Sequence, residues 1–244
     1  MKDDGTVLGG GNRSTVVRVG DTVRRSTGPH SLAVHDLLIR LEDAGYPYSP
    51  RFLGVDGSGR EVLSFLPGTV GNYPIPEAIR SLEAMKSALE IVRSLHDVTA
   101  GLRMLVGHSP SGAIPEVLCH WDAAPYNFVF DGAAAVGLID FDEARPGRRI
   151  DDLAYFAYRF APLSADENFA DGGWPADTDR FERLHQIFEL YPDERAAELA
   201  QILVDRLETM KRDPRTPEAH IEIYARDQDF IHHRSHKIAA AASQ

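Results

Sequence analysis

Cysteine is nearly missing from this chain. Cys119 is its only one among 244 residues, which excludes an intramolecular disulfide and fits a reducing compartment. No apolar run reaches membrane-spanning length, and the opening MKDDGTVLGG lacks the apolar centre of a signal peptide; a cytoplasmic location without membrane contact is the expectation. Basic excess is missing too. A formal net charge of −11 argues against a nucleic-acid partner and leaves a cationic or neutral small molecule open. Two nucleotide-binding signatures are also absent: a glycine loop ending in Gly-Lys-Ser/Thr before a helix, and a G-x-G-x-x-G loop opening a helix. Internal repeats are lacking. Cys119 reads as an apolar strand residue and not as a nucleophile.

What the chain does have is concentrated between residues 117 and 155. His120, Asp122 and Asn127 fit an H-x-D-x-x-x-x-N frame, and Asp140 and Asp142 follow in Ile139-Asp140-Phe141-Asp142. Phosphoryl transfer needs this combination: one carboxylate to orient an attacking hydroxyl and take its proton, and an amide oxygen with a second carboxylate to hold Mg2+. Phe128-Val129-Phe130 and Val136-Gly137-Leu138-Ile139 read as two strands joined by a turn at Asp131-Gly132. That hairpin brings Asn127 and Asp140 to the same end.

The segment from Val117 to Tyr155 resembles the catalytic core of the aminoglycoside phosphotransferase and choline kinase-like superfamily, with weaker similarity reaching back to the N-terminus. The resemblance implies an α+β, two-lobed protein kinase-like fold, with a small β-rich N-lobe (residues 1–68) and a larger helical C-lobe (residues 69–244). It implies Asp122 as catalytic base, Asn127 and Asp140 as Mg2+ ligands, His120 as organiser of the loop and Asp152 as its brace. It further implies ATP or GTP as donor and a small-molecule hydroxyl as acceptor. A nucleotide-binding pseudokinase and a metal-dependent phosphohydrolase built on His120, Asp122, Asp140 and Asp142 are the alternatives.

In the N-terminal third, Leu8 to Ser14 is glycine-rich, and residues 15–25 read as strand, tight turn at Gly20-Asp21, and strand. A glycine loop between strands is the kinase arrangement, in which backbone N–H groups cover phosphates. The second strand carries no lysine. Arg24 is the position that the resemblance favours for the phosphates, with Arg25 as the alternative because neighbours on a strand face opposite ways. Ser31 to Gly45 has helical spacing, and His35 or Asp36 is the candidate partner for the arginine. A second hairpin, 51–56 with 61–66, resembles the family's hinge, where backbone between Ser64 and Leu66 would meet the adenine edge.

Further on, apolar positions step by three and four from Pro76 to Val98, predicting one long helix that ends near His96, a buried or capping residue by default. Thr99 to Gly112 reads as loop. Asp151–Tyr158 predicts a helix, 161–175 an irregular acidic excursion, and Asp177–Leu190, Pro192–Lys211 and Thr216–Ile238 further helices. The expected role of His232, His233 and His236 is a basic face, and Ala239–Ala242 is expected to fray.

Overall fold

The protein is described by a computed structural model over residues 5–8, 15–100 and 114–243. Short alternating segments near the N-terminus pair into an antiparallel sheet of five strands, β1 (Thr6–Leu8), β2 (Val16–Val19), β3 (Thr22–Ser26), β4 (Phe52–Val55) and β5 (Arg60–Ser64), in the order β1-β2-β3-β5-β4. The β2–β3 turn contains Gly20 at φ +60°, a left-handed conformation that glycine adopts without steric cost. Helix α1 (Ser31–Asp43) buries Val34, His35, Leu37, Leu38 and Leu41 on one stripe, as 3.6-residue spacing dictates.

After β5 the chain leaves this sheet, and β6 (Thr69–Val70) pairs instead with the hairpin β8 (Phe128–Asp131) and β9 (Ala134–Leu138). Helix α2 (Leu82–Thr99) packs under that hairpin. Strands β7 (Val117–Cys119) and β10 (Arg145–Gly147) form a separate antiparallel pair flanking the hairpin in sequence. Helices α3 (Arg149–Phe160), α4 (Asp166–Asp171), α5 (Arg180–Leu190), α6 (Leu199–Arg212), α7 (Glu218–His233) and α8 (Ser235–Ala242) complete the larger lobe. Its centre is α3, whose Tyr155, Phe156, Tyr158 and Phe160 are sealed from solvent; truncating such an aromatic typically costs about 3–5 kcal/mol. The architecture is α+β with a β-rich N-terminal lobe and a helical C-terminal lobe. No helix among the described residues is long and apolar enough to cross a membrane.

Four expectations are corrected by local chemistry. The helix expected from Pro76 starts at Leu82, because the Ser81 Oγ accepts from the Ala84 N–H at 3.1 Å and caps it, leaving Glu77–Arg80 as a separate 3-10 turn. The excursion at 161–175 contains α4. The helix expected over Thr216–Ile238 breaks at Arg234, so His232 and His236 lie on different helices and lose their one-turn spacing. The alanine tail is the end of α8, with Ile238, Ala241 and Ala242 buried where α8 packs on α5 and α6.

Candidate active site

The site begins with a strained turn. Trp121 follows β7 at φ +64°, a region that costs a bulky residue about 1–2 kcal/mol, and two backbone N–H groups donating to one carboxylate hold it there. Asp152, fully buried on α3, accepts from the His120 N–H and the Trp121 N–H, each at 2.7 Å, and from His96 Nε2 at 3.0 Å. Burial pushes the Asp152 carboxyl up, but the hydrogen bond and charge of His96 and the bond from the His120 N–H outweigh it and hold the group below its ordinary range. His96 is itself oriented by the Tyr191 hydroxyl at 2.8 Å. The Trp121 indole donates to the Arg145 carbonyl at 3.0 Å, with Arg145 and Arg206 over its ring.

His120 ties the loop to the hairpin. Its Nε2 donates to the Ile139 carbonyl at 2.9 Å and its Nδ1 accepts from the Asp122 N–H at 3.3 Å, a pattern that only the neutral Nε2-protonated tautomer satisfies. His96, Cys119 and Asp152 are the one buried trio of metal-ligating types brought together among the described residues. Each has a protein partner, and Cys119 is a thiol pushed up by burial, donating to the Arg148 carbonyl at 3.2 Å. The trio is a hydrogen-bonded brace.

Asp122 and Asn127 face one another across a single 3-10 turn, Pro125–Asn127. The Asn127 Nδ2 donates to the Asp122 backbone carbonyl and to its Oδ2, both at 2.9 Å. That fixes the amide, since only nitrogen can donate to two acceptors, and leaves Asn127 Oδ1 without a bond among the described residues. Asp122 Oδ1 accepts from the Tyr126 hydroxyl at 2.7 Å. The Ile139 N–H to Asn127 carbonyl bond, 2.8 Å, then sets Asp140 beside this pair. Asp140 is left-handed, φ 64° and ψ 62°. Its side chain is half exposed at the mouth of the cleft, yet the surrounding protein and the neighbouring Asp142 raise its carboxyl above the ordinary value, against the pull of Arg25.

From the N-lobe, Arg25 reaches into this site and Arg24 does not. Arg24 lies on the opposite face of β3, 3.8 Å from Asp56, so the placement expected for Arg24 falls to its neighbour. The signal was the pleat: Val23 packs inward against the core, and Arg25, two residues on, shares its face. Arg25 donates to Asp140 Oδ1 at 3.1 Å, to Asp142 at 3.1 and 2.5 Å, and to Glu61. Burial lowers the arginine's affinity for its proton, but Asp142, Glu61 and Asp140 reverse the balance and hold it above the free value. Glu61, directly opposite Arg25 in the β3–β5 register and 1% exposed, also meets His35 Nε2 at 2.6 Å. His35 therefore joins the arginine through a carboxylate supplied by β5, whereas Asp36 is exposed and paired with Arg40 at 2.7 Å. Glu61 was missed, although an acid two residues before Leu63 shares its inward strand face and marks a buried charge in need of a partner.

Ser64 closes β5, its N–H donating to the Arg51 carbonyl at 2.9 Å and its Oγ accepting from the Arg51 N–H at 2.8 Å. Leu66 packs over Gly137, where an added Cβ would lie 2.6 Å from Leu66 Cδ1. Neither has a hydrogen bond to the 120–127 loop among the described residues. The glycine-rich segment beyond Leu8 lies outside the described residues, as does most of the loop expected after Thr99.

Known proteins share the fold and part of the sequence. Residues 102–187 match the model of the phosphotransferase enzyme family. The trifolitoxin immunity protein of Rhizobium leguminosarum bv. trifolii is 34% identical over 199 residues, which span 78% of this chain and 74% of that one. Among solved structures, a choline/ethanolamine kinase family protein from Mesorhizobium loti superposes with a TM-score of 0.61 at 17% identity, over 98% of this chain and 91% of that one. The ADP-bound aminoglycoside phosphotransferase APH(2'')-Ib gives 0.59 at 12% identity, over 98% and 94%. At such identities the two structures speak to fold alone.

Proposed function

The chain belongs to the phosphotransferase enzyme family, and from that premise we propose that it transfers the γ-phosphate of ATP or GTP to a hydroxyl of a small molecule. The observation that carries this reading is the hydrogen-bonded pair Asp122–Asn127, tied by the Ile139–Asn127 backbone bond to the strand end that carries Asp140, whose carboxylate Arg25 meets from the N-lobe. Asp122 is the general base: each oxygen already receives one donor, and each keeps a lone pair for the acceptor hydroxyl. Asn127 Oδ1 and the Asp140 carboxylate are the hard oxygen donors that suit Mg2+, which when bound neutralises charge between the phosphates. Arg25 takes the place of the usual lysine toward the phosphates, oriented by Glu61 and, through it, His35. Backbone between Ser64 and Leu66 would receive the base. A cytoplasmic setting belongs to the same proposal.

Asp140→Ala tests the metal role. Loss of even an outer partner of a metal ligand typically costs about 10–100-fold in metal affinity, so removal of the ligand itself is expected to cost no less. Calorimetric titration of nucleotide with and without Mg2+ checks this, and an unchanged metal-dependent affinity would sink the assignment.

One observation favours a second reading. Arg25 spans Asp140 and Asp142, as it would in a nucleotide sensor that has given up catalysis. Nucleotide consumption with and without hydroxyl acceptors separates the possibilities. Acceptor-dependent turnover supports the transferase, acceptor-independent turnover a phosphohydrolase, and binding without turnover the pseudokinase. The relative named for immunity to trifolitoxin makes a toxin one acceptor class to include beside aminoglycosides, amino alcohols and sugars.

A further inference from the structure

Next to Asp122 the cleft carries groups that phosphoryl chemistry does not require. The Tyr126 hydroxyl, 2.7 Å from Asp122 Oδ1, lies 3.3 Å from the Tyr155 hydroxyl. That oxygen in turn receives Arg159 Nε at 3.2 Å and Nη2 at 3.0 Å. A carboxylate only accepts and a guanidinium only donates, so the direction of the chain is fixed: Arg159 to Tyr155 to Tyr126 to Asp122. Burial keeps both tyrosines protonated, as this order demands.

Arg159 projects from α3 with its guanidinium over the Tyr158 ring at 4.5 Å and the Tyr155 ring at 5.2 Å. Its Nη1 makes no hydrogen bond among the described residues, and it is not among the side-chain atoms sealed from solvent without a partner. No carboxylate of the described residues pairs with it. Arg206 likewise has no carboxylate partner among the described residues; it donates to the Trp121 carbonyl at 2.8 Å, stands 5.5 Å from the Tyr155 ring, and its Nε is sealed without a partner. In a chain of formal net charge −11, a half-buried guanidinium left without an acid is conspicuous. Aromatic stacking offsets only part of the cost of taking it out of water, and with Arg159 Nε and Nη2 already on the Tyr155 hydroxyl it is Nη1 that stays open to a carboxylate oxygen. A polycationic acceptor would meet two guanidinium groups here, with Asp122 its only counter-charge in the hydrogen-bonded chain.

We infer that the acceptor is a hydroxy acid, its hydroxyl on Asp122 and its carboxylate on Arg159, across the short span that Tyr126 and Tyr155 bridge. This rests on the phosphotransferase reading of Asp122, and Arg159 is in it a specificity-determining residue. The test is a matched set, γ-hydroxybutyrate, its amide and the corresponding amino alcohol, with shorter and longer homologues, scored by nucleoside diphosphate release. Wild type is expected to favour the acid by about 10- to 100-fold in kcat/KM, the worth of a charge-assisted hydrogen bond. In Arg159→Met the ratio of acid to amide should collapse toward one through KM, and Arg159→Lys should restore part of it; thermal unfolding checks that both variants fold. Equal or better use of the amide or amine by wild type overturns the inference and leaves the transferase reading standing. If this set is inert while another acceptor of the wider panel turns over, the inference falls; if nothing turns over, the transferase reading fails instead, and saturation-transfer NMR decides the subsite. Attenuation of the γ-hydroxybutyrate signal by wild type but not by Arg159→Met supports it, and the same response from both proteins overturns it.

Discussion

Asp122→Asn is expected to leave the protein folded and to lower phosphoryl transfer by about 10²–10⁴-fold, the usual worth of a positioned general base. Asparagine keeps an oxygen for the Asn127 amide and presents its own nitrogen to Tyr126, whose hydroxyl can turn to accept. The local network of 2.7 and 2.9 Å bonds therefore survives in outline. What disappears is the capacity to take a proton. A fall in kcat with little change in nucleotide affinity would place the loss in the chemical step. Turnover at the wild-type rate by a folded Asp122→Asn protein would remove Asp122 from the mechanism.

The second large effect is on stability. Asp152→Ala strips one buried acceptor from three donors, the His120 and Trp121 N–H groups and His96 Nε2, and removes the bonds that hold Trp121 at positive φ. Breaking a buried, hydrogen-bonded charge in this way costs about 3–5 kcal/mol. The pH dependence follows from the direction of the shift. The folded carboxyl is held below its ordinary value, so the stabilisation is complete above the unfolded value of about 3.9 and fades as pH falls through the lower folded one. Urea unfolding should therefore show a constant gap between wild type and Asp152→Ala from neutral pH down to about pH 4, narrowing below it. A gap that narrows already between pH 7 and pH 5 would contradict a depressed Asp152. Activity should fall with stability, because the same carboxylate sets the turn from which Asp122 projects.

Asp122, Asn127 and Asp140 were legible in the sequence because they lie within nineteen positions on one loop and one hairpin, where local pairing rules fix their relative placement. Asp152 was legible only through family resemblance, since nothing local ties an α3 carboxylate to the β7 turn. Arg25 was half legible. Strand alternation offered both arginines, and choosing between them needed the inward packing of Val23, a tertiary fact. Glu61 was hidden by its distance from Arg25, bridged only by the β3–β5 register. Tyr126, Tyr155 and Arg159 gave no pattern at all, because one comes from the catalytic loop and two from a helix whose faces are almost all buried. Helix ends at Ser81 and Arg234 went astray for the opposite reason: side-chain capping and a local break override a periodicity that continues through them.

In the proposed reaction this site moves a phosphoryl group onto a hydroxyl. Incubating the wild-type protein with Mg2+, nucleoside triphosphate labelled at the γ-phosphate, and the acceptor panel, then following the label, tests it most directly. Label should become covalently attached to an acceptor, with stoichiometric nucleoside diphosphate, and Asp122→Asn should transfer it at least about 100-fold more slowly. Label released only as inorganic phosphate, or retained on the nucleotide while the nucleotide is demonstrably bound, would contradict it.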